Sequence, residues 1–351
     1  MRRQPVVAPS RAGVRPAVEA VLAGQARRRD YGDHMQQRRV GRTGLRVSSI
    51  GLGTMTWGRD TEEHDAAEQL KALLDVGGTL VDTAAGYGNG AAEALLGHLL
   101  GSGVDRRDVV LASKAGMRGG VADASRRTLL DDLDDSLDRL GTDHLDLWLV
   151  EHPDPATPLE ETVGALEDAV RSGRTRYVGL SNFPAWKTAQ AATLLATAGP
   201  GMAAVEMEYS LLQRGVEREM VPAARSLGFG VLAWSPLGRG VLTGKYRATV
   251  PASSRAASPH LRGFVEPYLT DRSHGVVEAV MTAANGLGRT PLEVAMAWAR
   301  DAPGVACAIT GARNAGQLRG VLAADDLELP EAIRDVLDEV TAPGLGYPER
   351  P

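Results

Sequence analysis

An aspartate, a tyrosine and a lysine stand where predicted strands end. Asp82 closes the apolar run Thr79–Asp82, Tyr87 follows five residues later, and Lys114 closes the run Val109–Lys114. A free phenol has a pKa of about 10 and is a poor general acid at neutral pH, whereas a neighbouring ammonium lowers that pKa by favouring the phenolate. The aspartate would keep the lysine charged and in place. We therefore predict that Tyr87 gives a proton to an oxygen that gains charge during hydride transfer.

Glu151 is a further carboxyl group at the end of a predicted strand, Leu145–Glu151. A carboxylic acid that faces such a site can stay protonated and donate a hydrogen bond. His152 follows directly. Because neighbouring residues on a strand face opposite sides, His152 is expected to point away from the site unless the strand ends early or bulges.

Eight short apolar runs must bring these residues together, and they alternate with stretches of helical periodicity. This pattern is typical of a (β/α)8 TIM barrel, an α/β fold whose active sites lie at the carboxyl ends of the strands. The alternative is a doubly wound nucleotide-binding sheet, but Gly51-Leu-Gly53-Thr-Met-Thr56 lacks the third glycine of its phosphate-binding turn. The predicted strands are Ser49–Gly53, Thr79–Asp82, Val109–Lys114, Leu145–Glu151, Tyr177–Ser181, Ala203–Tyr209, Gly230–Trp234 and Val305–Thr310.

Further elements are predicted at both ends of the barrel. A small β-hairpin turning at Thr43-Gly44 precedes it, and extra helices at Asn314–Ala323 and Pro330–Val340 close the chain. Thr290 before Pro291 predicts a helix start, with threonine as N-cap and proline in the first turn. The long irregular stretch Thr243–Asp271 is expected to be a loop over the mouth of the barrel.

Composition limits the possible partners and the location of the protein. The chain has 351 residues, of which 43% are hydrophobic, and its net charge of −5 gives no electrostatic reason to expect nucleic acid or an anionic membrane. Cys307 is the single cysteine, so a reducing cytoplasm is the default. Residues 1–35 are Arg-, Ala- and Gly-rich and are expected to be a disordered extension, with one barrel domain at 36–345. The histidines lack metal-ligand spacing, so no metal is expected.

Several segments placed in order on these strand ends resemble those of the aldo-keto reductases. They are Gly44-Leu-Arg-Val-Ser-Ser-Ile-Gly-Leu-Gly-Thr, Val81–Glu93, Ala112-Ser-Lys114, Gly179-Leu-Ser-Asn182, Glu208-Tyr-Ser-Leu-Leu, Trp234-Ser-Pro-Leu-Gly-Arg-Gly and Ile309-Thr-Gly-Ala-Arg-Asn314. The resemblance covers the chain from Arg38 to the Asn314–Ala323 helix. It implies that Asp82, Tyr87 and Lys114 are three members of a catalytic tetrad, with Glu151 in the place of the family's histidine.

The resemblance also implies a nicotinamide cofactor. Ser181 and Asn182 match the pair that holds the carboxamide, Trp234 matches the aromatic ring on the nicotinamide, and Arg313 suits an adenosine 2′-phosphate, which favours NADPH over NADH. Trp57 and His152 are expected to contact substrate. The expected cofactor-binding residues are Gly53, Thr54, Met55, Ser181, Asn182, Glu206, Trp234, Ser235, Pro236, Leu237, Gly238, Gly240, Lys245, Gly311, Arg313 and Gln317.

Three positions depart from the family pattern. Glu206 stands where relatives usually have glutamine for the carboxamide, and Gly320 and Val321 replace a Glu-Asn pair for adenine. Glu151 resembles the branch of the family that reduces steroid double bonds, in which a protonated carboxyl group polarises an enone oxygen. The substrate is therefore expected to be an aldehyde, a ketone or an activated C=C.

Two alternatives remain open. Glu151 can instead belong to an ordinary or weakened carbonyl reductase. The protein can also be a barrel that binds NADPH and acts as a redox-sensing partner with little turnover. A monomer and a homo-oligomer are equally compatible with the sequence.

Overall fold

Eight parallel strands form a closed barrel in this computed structural model, which describes residues 35–199, 201–252, 254–344 and 346. The predicted (β/α)8 fold is thereby confirmed. Each barrel strand pairs with its neighbours in parallel, and the last strand closes on the first through Ala308 opposite Ile50.

The elements follow one another in the predicted order. The strands are β1 (Gln37–Arg39), β2 (Arg46–Ser48), β3 (Ile50–Gly53), β4 (Leu80–Asp82), β5 (Val110–Ala115), β6 (Met117–Arg118), β7 (Val121–Ala122), β8 (Leu145–Val150), β9 (Thr175–Ser181), β10 (Ala204–Glu208), β11 (Gly230–Trp234) and β12 (Val305–Thr310). The helices are α1 (Glu63–Asp75), α2 (Ala91–Leu100), α3 (Arg126–Leu140), α4 (Leu159–Arg171), α5 (Ala185–Ala198), α6 (Met220–Leu227), α7 (Arg262–Val265), α8 (Asp271–Leu287), α9 (Pro291–Arg300), α10 (Ala315–Leu322) and α11 (Glu331–Val340).

The barrel interior is closed at its amino-terminal end by the β1–β2 hairpin. Val40, Leu45 and Val47 of the hairpin join one buried apolar cluster with strand residues such as Leu147 and Leu232. Gly41 has a φ of +57°, and a Cβ there would lie 2.3 Å from the Gly228 carbonyl oxygen, so only glycine allows this close approach. Polar groups can therefore gather only at the other, carboxyl end.

The outer layer buries the second face of every barrel strand. Covered on both faces, parallel strands are nearly continuous apolar runs, as in the Leu-Asp-Leu-Trp-Leu-Val of β8. Helix α9 begins as predicted, since Thr290 and Glu293 form a reciprocal capping box around Pro291.

Several element boundaries differ from the sequence-based expectation by one or two residues. Strand β8, for example, ends at Val150, one residue earlier than predicted. Met35, assigned to the amino-terminal extension, is 3% exposed and its amide donates to the Val76 carbonyl, so it packs with the barrel; the other residues of that extension lie outside the described residues. Before helix α6, which begins at Met220, residues Gly215–Glu217 form a separate 3-10 turn.

The stretch from Thr243 to Asp271 lies over the mouth of the barrel, as predicted, and carries helix α7 and two short 3-10 segments, Arg255–Ala257 and Glu266–Tyr268. Among the described residues, no helix is both long and apolar enough to cross a membrane.

Candidate active site

A cavity of about 630 Å³ opens at the carboxyl end of the barrel. Most of the predicted site residues line it together, although they come from all eight barrel strands or the loops that follow them. The predicted residues that line it are Gly53, Met55, Asp82, Tyr87, Lys114, Glu151, His152, Ser181, Asn182, Glu206, Trp234, Ser235, Pro236, Leu237, Gly240, Lys245, Gly311, Arg313 and Gln317.

The ammonium group of Lys114 is the centre of this site. Its Nζ donates to the two carboxylate oxygens of Asp82 at 2.6 and 2.7 Å and to Oε2 of Glu206 at 3.2 Å. The three residues are each at most 3% exposed. Burial lowers the pKa of Lys114, but Asp82 and Glu206 more than offset this and raise it well above its usual range, so the lysine is charged.

Tyr87 faces the same ammonium, and Lys114 Nζ lies 5.3 Å from the centre of its ring. Lys114 lowers the pKa of Tyr87, as predicted, but the net shift is upward. Burial raises the pKa of Tyr87 far above its usual value, and Asp82, Glu206 and Glu151 raise it further, whereas Lys114 alone lowers it. Tyr87 is therefore a protonated phenol.

Glu151 points into the cavity from the end of β8. Its amide donates to the Ala115 carbonyl, while its buried Oε2 has no hydrogen-bond partner among the described residues. A Cβ on Gly86 would lie 3.6 Å from that oxygen, so the glycine leaves room beside it. Burial raises the pKa of Glu151, against the lowering effect of Lys114, and favours the neutral acid.

His152 lines the cavity as well, contrary to the expectation from strand alternation. That expectation fails because β8 ends at Val150, so Glu151 and His152 belong to the loop and need not face opposite sides. Burial lowers the pKa of His152 and favours the neutral imidazole.

A chain of hydrogen bonds holds the polar groups next to this centre. Trp234 Nε1 donates to Asn182 Oδ1 at 3.1 Å, and Asn182 Nδ2 donates to the Glu151 carbonyl and to Ser181 Oγ. Asn182 and Ser235 have φ values of +60° and +51°, a conformation that non-glycine residues rarely adopt and that clusters at functional sites. With this backbone conformation at the ends of their strands, both residues line the cavity.

Three cationic side chains line the opposite part of the cavity, where the sequence indicated only Lys245 and Arg313. Burial lowers the pKa of Lys245 to about 8, and Arg255 and Arg313 add to this. Arg255 comes from the long loop and reaches the Gly311 carbonyl at 3.4 Å. Arg255 was not predicted, because loop residues carry no periodicity. Its positive charge, in the loop predicted over the mouth, was the one feature of the sequence that pointed to the cavity.

Arg239 forms the wall between the long loop and the barrel. Its guanidinium pairs with both carboxylate oxygens of Glu208 at 2.6 and 2.8 Å and lies 4.1 Å from the centre of the Phe264 ring and 5.5 Å from that of Trp234. The charge of Arg239 is neutralised by Glu208 and covered by aromatic rings, so the group anchors the loop beside Trp234.

Three predicted residues do not line the cavity. Trp57 was expected to contact substrate, but it is buried and donates to Gln69 Oε1 of helix α1, which keeps its ring away from the site. Thr54 is buried, and its amide and hydroxyl groups donate hydrogen bonds to the Asp82 carbonyl. It therefore stabilises the end of β4 without lining the cavity. Gly238 is buried in the turn after Ser235, to whose carbonyl its amide donates.

The described residues contain no group of three or more His, Cys, Asp or Glu side chains arranged to hold a metal ion. Asp132, in the middle of helix α3, is buried. It accepts from the Gly116 amide and pairs with Arg118, which fixes the β6 segment beside the cavity.

The fold is a (β/α)8 barrel with a polar cavity at its carboxyl end, and sequence comparison gives the family. A model of the Aldo/keto reductase family matches residues 49–342, and the chain belongs to that family, as its motifs indicated. It is 36% identical over 334 residues to Uncharacterized oxidoreductase YrpG of Bacillus subtilis, with 90% of this chain and 99% of that protein covered.

Other relatives carry two kinds of name. Aldo-keto reductase YhdN of Bacillus subtilis is 31% identical over 296 residues, which cover 82% of this chain and 88% of that protein. A probable voltage-gated potassium channel subunit beta of Oryza sativa subsp. japonica is 34% identical over 326 residues, covering 90% and 98% of the two chains.

Replacing Lys114 by methionine tests the central ion pair. We expect Lys114→Met to lower the free energy of unfolding by about 3 kcal/mol at neutral pH, because it leaves the Asp82 carboxylate buried without its cation. The double variant Asp82→Asn/Lys114→Met should recover a large part of that loss. Urea denaturation of the two single variants and the double variant measures this, and strictly additive losses would contradict the assigned pairing.

Proposed function

We propose that this protein is an NADPH-dependent reductase of aldehydes, ketones or activated C=C bonds, with Tyr87 as its general acid. The observation that carries the proposal is the buried Lys114–Asp82 ion pair directly beside the Tyr87 ring, inside a cavity whose other part is cationic. A small-molecule substrate in a reducing cytoplasm fits this proposal, since the single cysteine, Cys307, is a buried thiol.

The cavity has the donor set that a phosphorylated dinucleotide requires. Lys245, Arg255 and Arg313 supply positive charge for phosphate groups, and planar guanidinium groups suit bidentate phosphate contacts. Ser181 and Asn182 offer donors and acceptors for a carboxamide next to Trp234. Val321 is buried at the cavity wall and Gly320 contributes no side chain, so adenine contacts in this region are apolar or with the backbone.

A reduced nicotinamide bound there supplies the hydride, and the protein supplies the proton. Tyr87 donates its phenolic proton to the substrate oxygen as charge develops on it. The ammonium of Lys114 then stabilises the phenolate that remains, and Asp82 keeps that ammonium in place. The raised pKa of Tyr87 keeps the phenol protonated before each turnover, and Lys114, which lowers that pKa, favours release of the proton.

Glu151 adds a second proton donor for the substrate oxygen. As a neutral carboxylic acid it polarises an enone oxygen more strongly than a neutral imidazole does, which makes the distant alkene carbon a better hydride acceptor. The position of Glu151 in the cavity wall supports this role, together with the burial that favours its neutral form.

A regulatory role is the second candidate function, and the potassium channel beta subunits among the relatives favour it. In this reading the barrel binds NADPH and reports its redox state to a protein partner with little turnover. The presence of Asp82, Tyr87 and Lys114 in one buried centre favours catalysis.

Cofactor oxidation measured over a panel of aldehydes, ketones and enones tests the proposed function. We expect turnover by the wild type and a fall in kcat of roughly 10²- to 10⁴-fold for Tyr87→Phe, because the general acid is lost while the ring is kept. Binding of NADPH should be unchanged in that variant. Tight binding of NADPH without turnover of any member of the panel would instead support the regulatory role.

The cationic part of the cavity gives a test of cofactor choice. We expect Arg255→Ala and Arg313→Ala each to weaken NADPH binding roughly 10- to 100-fold, by loss of charge-assisted hydrogen bonds, with little effect on NADH. Arg247→Ala is the matched control, because Arg247 pairs with Glu278 on the surface outside this cavity. Fluorescence titration measures all three, and equal losses for NADPH and NADH would refute recognition of the 2′-phosphate.

Product analysis with an enone tests the role of Glu151. We expect the saturated ketone from the wild type and a shift toward the allylic alcohol for Glu151→His, since the imidazole is a weaker acid toward the oxygen. Glu151→Gln serves as a control of similar size that cannot ionise. Formation of allylic alcohol alone by the wild type would exclude alkene reduction, while unchanged products in Glu151→His would remove the proposed role of Glu151.

A further inference from the structure

Two buried carboxyl groups share the single ammonium of Lys114 within hydrogen-bond distance. Asp82 holds it at 2.6 and 2.7 Å, and Glu206 at 3.2 Å, and both acids are at most 3% exposed. One cation neutralises one carboxylate. Since an uncompensated charge in a buried site is costly, the second carboxyl group keeps a proton while no second positive charge lies beside the pair.

Glu206 is the carboxyl group that holds this proton. It contacts Lys114 through one oxygen, whereas Asp82 receives both short bonds. Burial first, and then Asp82, raise the pKa of Glu206 well above its usual range, although Lys114 lowers it. The titratable groups that interact with Glu206 from the neighbouring elements are Asp82 on β4, Tyr87 after β4, Lys114 on β5 and Cys307 on β12. Glu151 after β8 interacts with the same Lys114 and Asp82.

Glu206 also lies against the residues that suit a carboxamide. It pairs in register with Ser181 on the adjacent strand, and its carbonyl accepts from the Asn182 amide at 3.1 Å. All three residues line the cavity. A positive charge on a nicotinamide ring held by Ser181 and Asn182 would therefore lie next to the carboxyl group of Glu206.

We propose that Glu206 is a redox-linked acid, protonated when the nicotinamide is reduced and neutral, and ionised when the nicotinamide is oxidised and cationic. This inference rests on the proposed function, because it requires the cavity to bind the cofactor. Glu206 then selects between the two redox forms of the cofactor, and the Glu206 carboxylate is the counter-ion of the oxidised form.

The proton of Glu206 balances the charge of the buried site over one reduction. The substrate carbon takes a hydride and the substrate oxygen takes the Tyr87 proton. Tyr87 recovers a proton from Lys114 Nζ, and Lys114 takes the proton of Glu206. The side chains then comprise a phenol, an ammonium and two carboxylates, with the oxidised nicotinamide as second cation, so the site has no net charge before or after the reaction.

Affinities for the two cofactor forms, measured across neutral and mildly alkaline pH, test this proposal without any turnover. We expect the ratio Kd(NADPH)/Kd(NADP⁺) to rise with pH by up to about tenfold per pH unit, since NADP⁺ binding releases one proton more than NADPH binding does. The ratio cancels the titration of the 2′-phosphate and of Lys245, because both cofactor forms share them. Calorimetry in buffers of different ionisation heat measures the released proton directly.

Substitutions assign the proton to one residue. Glu206→Gln should make the ratio independent of pH and weaken NADP⁺ selectively at alkaline pH, whereas Glu151→Gln should leave the pH dependence in place. A flat ratio in the wild type overturns the proposal even if Glu206→Gln does not fold, and so does a dependence that Glu151→Gln removes. Failure of both cofactor forms to bind refutes the proposed function itself and is thus a distinct outcome.

Discussion

The buried ion pair between Lys114 and Asp82 is the interaction on which the rest of the site depends. An ammonium can stay charged in the interior of the barrel only because two oxygens of Asp82 and one of Glu206 accept from it. That charge is the one lowering influence on the pKa of Tyr87, in an environment that otherwise raises it strongly. Removing the cation would leave a phenol with no means to support its conjugate base.

The scaffold keeps this pair away from water and in register. Thr54 bonds the Asp82 carbonyl from the neighbouring strand, and the hairpin with Gly41 closes the opposite end of the barrel. Above the pair, Arg239 ties the long loop to Glu208 and stacks on its aromatic rings. The strands thus form the rigid floor of the site, and the loop forms its wall. In barrels of this kind the strands usually serve as the scaffold and the loops complete the site.

The cavity is electrically divided, and this division favours a dinucleotide with phosphates at one end. Asp82, Glu151 and Glu206 surround one ammonium in the floor, whereas Lys245, Arg255 and Arg313 line the other part. Burial acts in opposite directions in the two parts, since it raises the pKa of Glu151 and lowers that of Lys245. Both pKa shifts disfavour isolated charge, and the cavity is complementary to a ligand of mixed polarity.

The sequence by itself determined the barrel and most of the site, because strands buried on both faces are continuous apolar runs and barrel catalysis takes place where such runs end. Position at a strand end was therefore enough to predict four of the site residues: Asp82, Lys114, Ser181 and Trp234. Contacts across the barrel were decided only by the tertiary structure. Periodicity could not show that β8 stops before Glu151, that Trp57 turns to Gln69, or that Arg255 reaches the cavity from a loop. The direction of the pKa shift of Tyr87 could not be predicted from the sequence either. It depends on burial, one ammonium and three carboxyl groups that only folding brings together.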